Sequence, residues 1–191
     1  MRYGANQADW AHFTLVLGLQ EHLLPVVSNP TAVIAPTSKL KSLGKIPSQY
    51  TNDRKVVGFG HWTEHFSTPL DINQWSSEPD YGICVQARAV RALDCDLENE
   101  DLAASVFSFL LANLPTPLPV RARSNSPKFL MPFRLEGKFG KRVLRIDDHN
   151  KIEFLADGQQ FVAVGQHPSG EPYAWRGGLP NEIPTDRKSV V

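Results

Sequence analysis

The sequence predicts an α+β fold, and three observations carry that expectation. Residues 100–114 set Leu102, Val106, Phe109, Leu110 and Leu114 at helical spacing behind a capping residue, Asn99. The second half offers short candidate strands at residues 129–135, 141–146, 151–155 and 160–164, separated by Gly137 and Gly140, Asp147 to Asn150, and Asp157-Gly158. The chain has 191 residues, 41% hydrophobic and 21% charged, an ordinary balance for a globular domain. A chain of this length buries roughly 70% of its unfolded surface and needs no staples.

In order along the chain, residues 7–24 carry Trp10, Phe13, Leu17 and Leu24 at helical spacing, with Asn6 or Asp9 as the cap. Leu24-Pro-Val-Val-Ser28 reads as a strand after a turn. Residues 35–56, rich in Lys, Ser, Gly and Pro, read as a loop. Thr68 caps a short helix with Pro69 at its first position, the place where a missing N–H costs least. Residues 80–85 read as a strand that pairs with the next one, 89–96, through the connection at 86–88. Glu100 and Asp101 suit the positive end of the helix that follows, and Pro115, Pro117 and Pro119 end it. From Gly177 the chain is rich in Gly, Pro and charge and reads as a flexible tail, 177–191.

Lys plus Arg equals Asp plus Glu, so the formal net charge is zero and a strongly basic nucleic-acid coat is excluded, although local patches are not. Cys84 and Cys95 lie in apolar strand-like runs and read as small core residues of a protein in a reducing compartment. The N-terminus has no signal-peptide core, and the apolar run at 14–19 is far too short for a bilayer. The expected protein is soluble, intracellular and free of membrane.

The run Ala89-Val-Arg-Ala-Leu-Asp-Cys-Asp96 ends in two acids two residues apart. Side chains on a strand alternate faces, so Asp94 and Asp96 project together, with Leu93 and Cys95 on the other face. Two carboxylates so close repel unless a cation or a shared proton relieves them. Their hard oxygens suit Mg²⁺ or Mn²⁺. A solvated strand-to-loop exit carries the same pattern, and the pair alone does not separate the two readings. An EF-hand is excluded, because counting from Asp94 the positions that need Gly and Glu hold Asn99 and Ser105. Glu153, between Ile152 and Phe154, is the best third acid. Asp147 and Asp148 are rivals, but they fall in a turn, where acids are common for turn reasons.

The segment 121–134 concentrates Arg121, Arg123, Lys128 and Arg134 with hydroxyls at Ser124 and Ser126, which suits a triphosphate as well as a solvated basic loop. His167, in Gly165-Gln-His-Pro-Ser-Gly170, reads equally as a phosphate or sugar contact and as a turn residue. Lys39, Lys41 and Lys45 form a basic stretch suited to a nucleic-acid backbone. Gly44-Lys45 is not a P-loop, since no Ser or Thr follows the Lys and the earlier Gly is missing. No Gly-x-Ser-x-Gly, His-Glu-x-x-His or Cys-x-x-Cys pattern occurs.

Taken together, Lys45-Ile-Pro-Ser, Trp62, Trp75, Tyr81-Gly-Ile-Cys-Val, Leu93-Asp-Cys-Asp96, Ser126-Pro-Lys128 through Arg134, residues 152–158 and residues 165–175 resemble a known domain. It is the primase-polymerase (prim-pol) domain of phage and plasmid replication proteins, in the archaeo-eukaryotic primase superfamily. The resemblance implies an α+β catalytic core built on an RRM-like antiparallel or mixed sheet, with a small N-terminal α/β module. Residues 1–176 would form one domain, the module at about 1–70 and the core at about 71–176. It implies that Asp94, Asp96 and Glu153 hold Mg²⁺ or Mn²⁺ and transfer nucleotides from dNTPs or NTPs to a 3′-hydroxyl. Arg123, Ser124, Ser126, Lys128, Arg134 and His167 would hold the nucleotide. The family's second motif carries Ser-x-His; here Lys128 stands in the equivalent place, so phosphate binding carries over and the His role does not. The implied partners are a single-stranded DNA template and primer and a helicase domain or protein, in the cytoplasm of a bacterial host. The alternatives are a catalytically inactive nucleic-acid-binding replication module and a metal-dependent nuclease.

Overall fold

The computed structural model describes residues 2–114 and 118–185. Pro115 and Pro117, expected to end a helix, lie outside the described residues, as do residues 186–191 of the expected tail. In chain order the elements are α1 (Gln7–Ala11), β1 (Leu23–Val27), β2 (Ser48–Tyr50), β3 (Val56–Gly58), α2 (Pro69–Ser77), β4 (Tyr81–Gln86), β5 (Val90–Asp96) and α3 (Glu100–Asn113). They continue with β6 (Arg121–Arg123), β7 (Ser126–Arg134), β8 (Arg142–Arg145), β9 (Lys151–Leu155), β10 (Gln160–Val164) and β11 (Ala174–Trp175). The fold is α+β with antiparallel sheets.

The chain forms two compact units, residues 1–86 with 160–173, and residues 87–159 with 174–191. The first unit runs to Gln86, and the chain returns to it for β10.

In the first unit, Asn6 and Asp9 make a reciprocal capping box that starts α1. The single helix expected over 7–24 breaks up. After α1 comes a π-turn, His12–Val16, then a 3₁₀ turn, Gln20–His22. Gly18, in the left-handed region at φ +62°, stops the helical run, and the Thr14 hydroxyl bonds back to the Trp10 and Ala11 carbonyls. Trp10, Phe13 and Leu17 are still buried, so the apolar spacing marks the core correctly. Thr68 and Asp71 cap α2 reciprocally.

β4 is the centre of a three-stranded sheet, ordered β1-β4-β10, and all six of its residues are buried. This corrects the expected pairing of residues 80–85 with the Asp94 strand. Both edges of β4 are taken by β1 and β10, so none remains for β5. A Cβ on Gly82 would collide with the Val164 carbonyl and the Ser28 hydroxyl, so that close approach needs glycine. The stretch expected as a loop, 35–56, contains β2 and leads into its partner β3, two strands too short to show a period in the sequence.

The second unit is a six-stranded antiparallel sheet, ordered β11-β6-β7-β5-β9-β8. Asn99 caps α3 through Leu102 N–H, as expected. One face of the sheet presents Cys95, Phe129 and Met131, with Ile152 alongside, to Leu102, Ala103, Val106, Phe107 and Leu110 of α3. The segment expected as a loop before residue 129 is the β6–β7 hairpin, with Ser124 and Asn125 in its turn. The expected flexible tail needs correction as far as Thr185. Ile183 is buried, and the Arg134 N–H donates to the Pro184 carbonyl at 2.8 Å. The buried Ile183 and the backbone pairing of Pro184 and Thr185 with Arg134 hold the segment in place.

Asn150 ties the β8–β9 turn to the start of α3. Its side-chain oxygen accepts from Glu98 N–H at 2.8 Å, while its amide donates to both Asp147 oxygens. Asn150→Ala removes these bonds from partners that water can reach, since Glu98 and Asp147 are exposed, and is expected to cost about 1 kcal/mol, a fall in Tm of about 2–4 °C by thermal denaturation.

Candidate active site

The face of the six-stranded sheet opposite α3 carries the acids. In the register, Asp94 lies directly across from Glu153 on β9 and from Leu130 on β7. Directly opposed residues of an antiparallel pair hold their Cβ atoms about 4.5–5.5 Å apart. Asp96 lies across from Lys151. Asp94, Asp96 and Glu153 therefore share one face, because β5 and β9 alternate in phase.

Lysines stand among these acids. The Lys128 ammonium lies 2.6 Å from one Asp96 oxygen, and Lys151 lies 3.7 Å from the other. Glu153 is held by Lys141 at 3.0 Å and Lys151 at 3.1 Å. Burial alone would raise the Glu153 pKa, but the hydrogen bonds from Lys141 and Lys151 outweigh it and hold the carboxyl below its usual range. Burial pulls Lys128 down; Asp96 and Glu98 more than offset it and keep the ammonium above its usual value. Asp94 differs. Burial pushes its pKa up, the Arg121 guanidinium opposes that, and the charges of Asp96 and Glu153 push it further up. A cation beside Asp94 would relieve a charge that its surroundings disfavour.

The donor chemistry fits a hard divalent ion: three carboxylates on one face, one of them disfavoured as an anion until a cation arrives. As oriented here the fit is incomplete. Among the described residues no three His, Cys, Asp or Glu side chains are gathered closely enough to hold an ion. An ion at Asp96 and Glu153 has to displace ammonium groups that already neutralise them.

The remaining expected site residues divide. Lys128 is brought to the acids. Arg123 ends β6, where it pairs with Ser126 across the hairpin, and Ser124 sits in the turn. The Ser126 hydroxyl accepts from Lys128 N–H at 3.3 Å. Arg134 pairs with Val90, four residues along β7 from Leu130, which is about 13 Å of strand. It stands on the same face as the acids, at the far end of the strand. His167 and Lys39, Lys41 and Lys45 belong to the first unit. There His167 lines a cavity of about 430 Å³ with Ser28, Leu43 and Gln166. Its Nδ1 accepts from Ser169 N–H, which makes Nε2 the donor of the neutral ring. The three lysines are exposed, and the Lys45 carbonyl accepts from Gln160 Nε2.

Sequence reasoning misses Lys141, Lys151 and the influence of Arg121 on Asp94. Lys151 has a signal that could find it, since it lies two residues before Glu153 on a strand and must share its face. No helix among the described residues is long and apolar enough to cross a membrane. No curated protein matches the chain closely enough to count as a relative. The family model described as bifunctional DNA primase/polymerase, N-terminal, matches residues 9–186, nearly the whole chain, and the chain belongs to that family.

Proposed function

We propose that this chain is a template-dependent nucleotidyltransferase that primes or extends DNA with divalent metal at Asp94, Asp96 and Glu153. The observation that carries the reading is the shared sheet face of those three acids in a chain of this family. When bound, Mg²⁺ or Mn²⁺ supplies charge neutralisation on the triphosphate and a lowered pKa for the attacking 3′-hydroxyl. The protein's own part is positioning. Asp94 and Glu153, fixed across from one another by the β5–β9 register, offer oxygens from a rigid sheet. Lys128 exchanges its bond to Asp96 for one to a phosphate oxygen, so nucleotide arrival frees the carboxylate that the metal needs. Arg123, Ser124 and Ser126, on and around the hairpin turn beside it, add donors. His167 remains assigned to nucleotide contact and Lys39, Lys41 and Lys45 to nucleic-acid backbone, each from chemistry alone.

Under this reading the substrates are dNTPs or NTPs on a single-stranded DNA template with its primer. The protein then serves phage- or plasmid-type replication in a bacterial cytoplasm, beside a helicase domain or protein. The test is a primer-synthesis assay on single-stranded DNA with Mg²⁺ or Mn²⁺, comparing dNTPs with NTPs. Template-dependent product supports the proposal. Binding without product points to an inactive replication module, and degradation without nucleotides points to a nuclease. Lys128→Ala is expected to raise the KM for nucleotide about 10- to 100-fold, the worth of one charge-assisted bond, as measured by steady-state incorporation.

A further inference from the structure

The edge of the six-stranded sheet is unusual for a protein of zero net charge. Residues 138–151 contain five cations, Lys138, Lys141, Arg142, Arg145 and Lys151, against two acids, Asp147 and Asp148. Every residue of β8 is exposed, and β8 is the last strand of its sheet. Lys141 and Lys151 are engaged with Glu153. Arg142 and Arg145 have no ion-pair partner among the described residues, and no carboxylate of the turn is set against them; Asp147 is occupied with Asn150 and His149. The same edge exposes three large aliphatic side chains, Val143, Leu144 and Ile146, at 45%, 63% and 43%.

Charge on an edge strand has a plain purpose, the prevention of edge-to-edge pairing. That purpose explains an arginine. It does not explain three exposed aliphatic residues between and beside two arginines, which raise the hazard the charges would lower. A polyanion with apolar faces accounts for both. Guanidinium groups take phosphate oxygens, and aliphatic side chains pack on sugars and unstacked bases, which a single strand presents and a closed duplex does not.

The register sets β8 relative to the acids. Val143 lies directly across from Glu153, so the edge strand is the next strand after the one that carries the third acid. Arg145 lies across from Lys151, which in turn lies across from Asp96. Two such inter-strand steps span about 10 Å, roughly the reach of one or two nucleotides.

We infer that the β8 edge, with Val143 and Arg145 on the face of the acids and Arg142 and Leu144 on the opposite face, is a binding track for single-stranded nucleic acid that runs along the rim of the sheet. The inference rests on the proposed polymerase reading for its meaning, since it names the surface that carries the strand to the acids. Its physical basis, unpaired guanidinium groups beside exposed aliphatic side chains, is separate from the metal chemistry.

The test uses the whole chain and a labelled single strand of about 15 nucleotides, with binding followed by fluorescence anisotropy between about 50 and 300 mM salt. Arg142→Ala/Arg145→Ala is expected to weaken binding about tenfold or more near 0.1 M salt and to make the slope of log affinity against log salt shallower by about 1.4, close to 0.7 for each arginine removed. Val143→Ser/Leu144→Ser is expected to weaken binding several-fold with the slope unchanged. Manganese-dependent dNTP binding, measured by calorimetry, is expected to stay the same in both variants. Affinity and slope equal to the parent protein in the arginine variant overturn the inference. So does loss of self-association or of protein pairing without any change in DNA binding, which would make β8 a pairing edge. If a variant fails to fold, protection of Arg142 and Arg145 from phenylglyoxal by the oligonucleotide in the unmodified protein decides the matter, and absence of protection overturns the inference. Loss of strand binding in the variant of a protein that incorporates no nucleotide would retain the track and remove the polymerase reading. Unchanged strand binding in the variant of an active polymerase would do the reverse.

Discussion

Asp94→Asn is expected to lower metal-dependent nucleotide incorporation by about a thousandfold or more while the protein stays folded. The substitution keeps size and hydrogen-bonding reach and removes only the charge. At about 1.36 kcal/mol per tenfold, a loss of several kcal/mol of transition-state stabilisation by a metal ligand corresponds to that factor. The same change acts on stability in the opposite direction. Burial, Asp96 and Glu153 hold the Asp94 pKa above its ordinary value despite Arg121. A raised carboxyl pKa means that the native state binds the proton more tightly than the unfolded state. Stability from this group is therefore present in acid and lost as pH rises from the ordinary aspartate range toward the raised folded value. The asparagine variant is spared that loss, so its Tm relative to the parent is expected to climb across that range and stay higher at neutral pH. Added Mn²⁺ is expected to raise the Tm of the parent and not of the variant. Equal incorporation by the two proteins would remove Asp94 from the reaction, and a Tm difference independent of pH would remove the electrostatic account.

The largest stability effect is expected at Arg91. Its side chain is buried and bonds the Ala87 carbonyl, the Gly137 carbonyl at 2.7 Å and Asp157 at 2.6 Å. One guanidinium thus joins the start of β5, the segment after β7 and the end of β9. Arg91→Met fills much of the space but leaves two carbonyls without their donor. The expected cost is about 3 kcal/mol, or about 6–12 °C in Tm, followed by thermal or urea denaturation. Asp157→Asn is expected to cost about 1 kcal/mol or less, since that side chain is 42% exposed and water can replace its partner. A milder effect at Arg91 than at Asp157 would show that the carbonyl bonds contribute little.

The parts of this fold that a sequence displays are those fixed by local chemistry. The caps at Asn6, Thr68 and Asn99 are single side chains acting within three residues, and each starts a helix. β9 and β10 have the bounds their turn residues announce. The common face of Asp94 and Asp96 follows from the period of a strand. What stays hidden is non-local. Nothing between residues 81 and 86 states that β4 will take β1 on one edge and β10, over seventy residues later, on the other. β2 and β3 are three residues each, too short for alternation to register. The sequence matches Glu153 with Asp94 only as a type of residue; the register that sets them opposite belongs to the sheet. The lysines among the acids escape for a different reason. A charge on a strand reads as solvated, while Lys141 and Lys151 fold back onto Glu153.

The placement of β10 bears on how the protein is made. The middle strand of the first sheet, β4, is synthesised long before the strand that covers its second edge. Until Val164 has left the ribosome, Ile83, Cys84 and Val85 have only β1 as a neighbour, and an open apolar edge waits through the synthesis of nearly the whole other unit. A gene fragment that stops at the close of β4 should yield an aggregate rather than a small folded module.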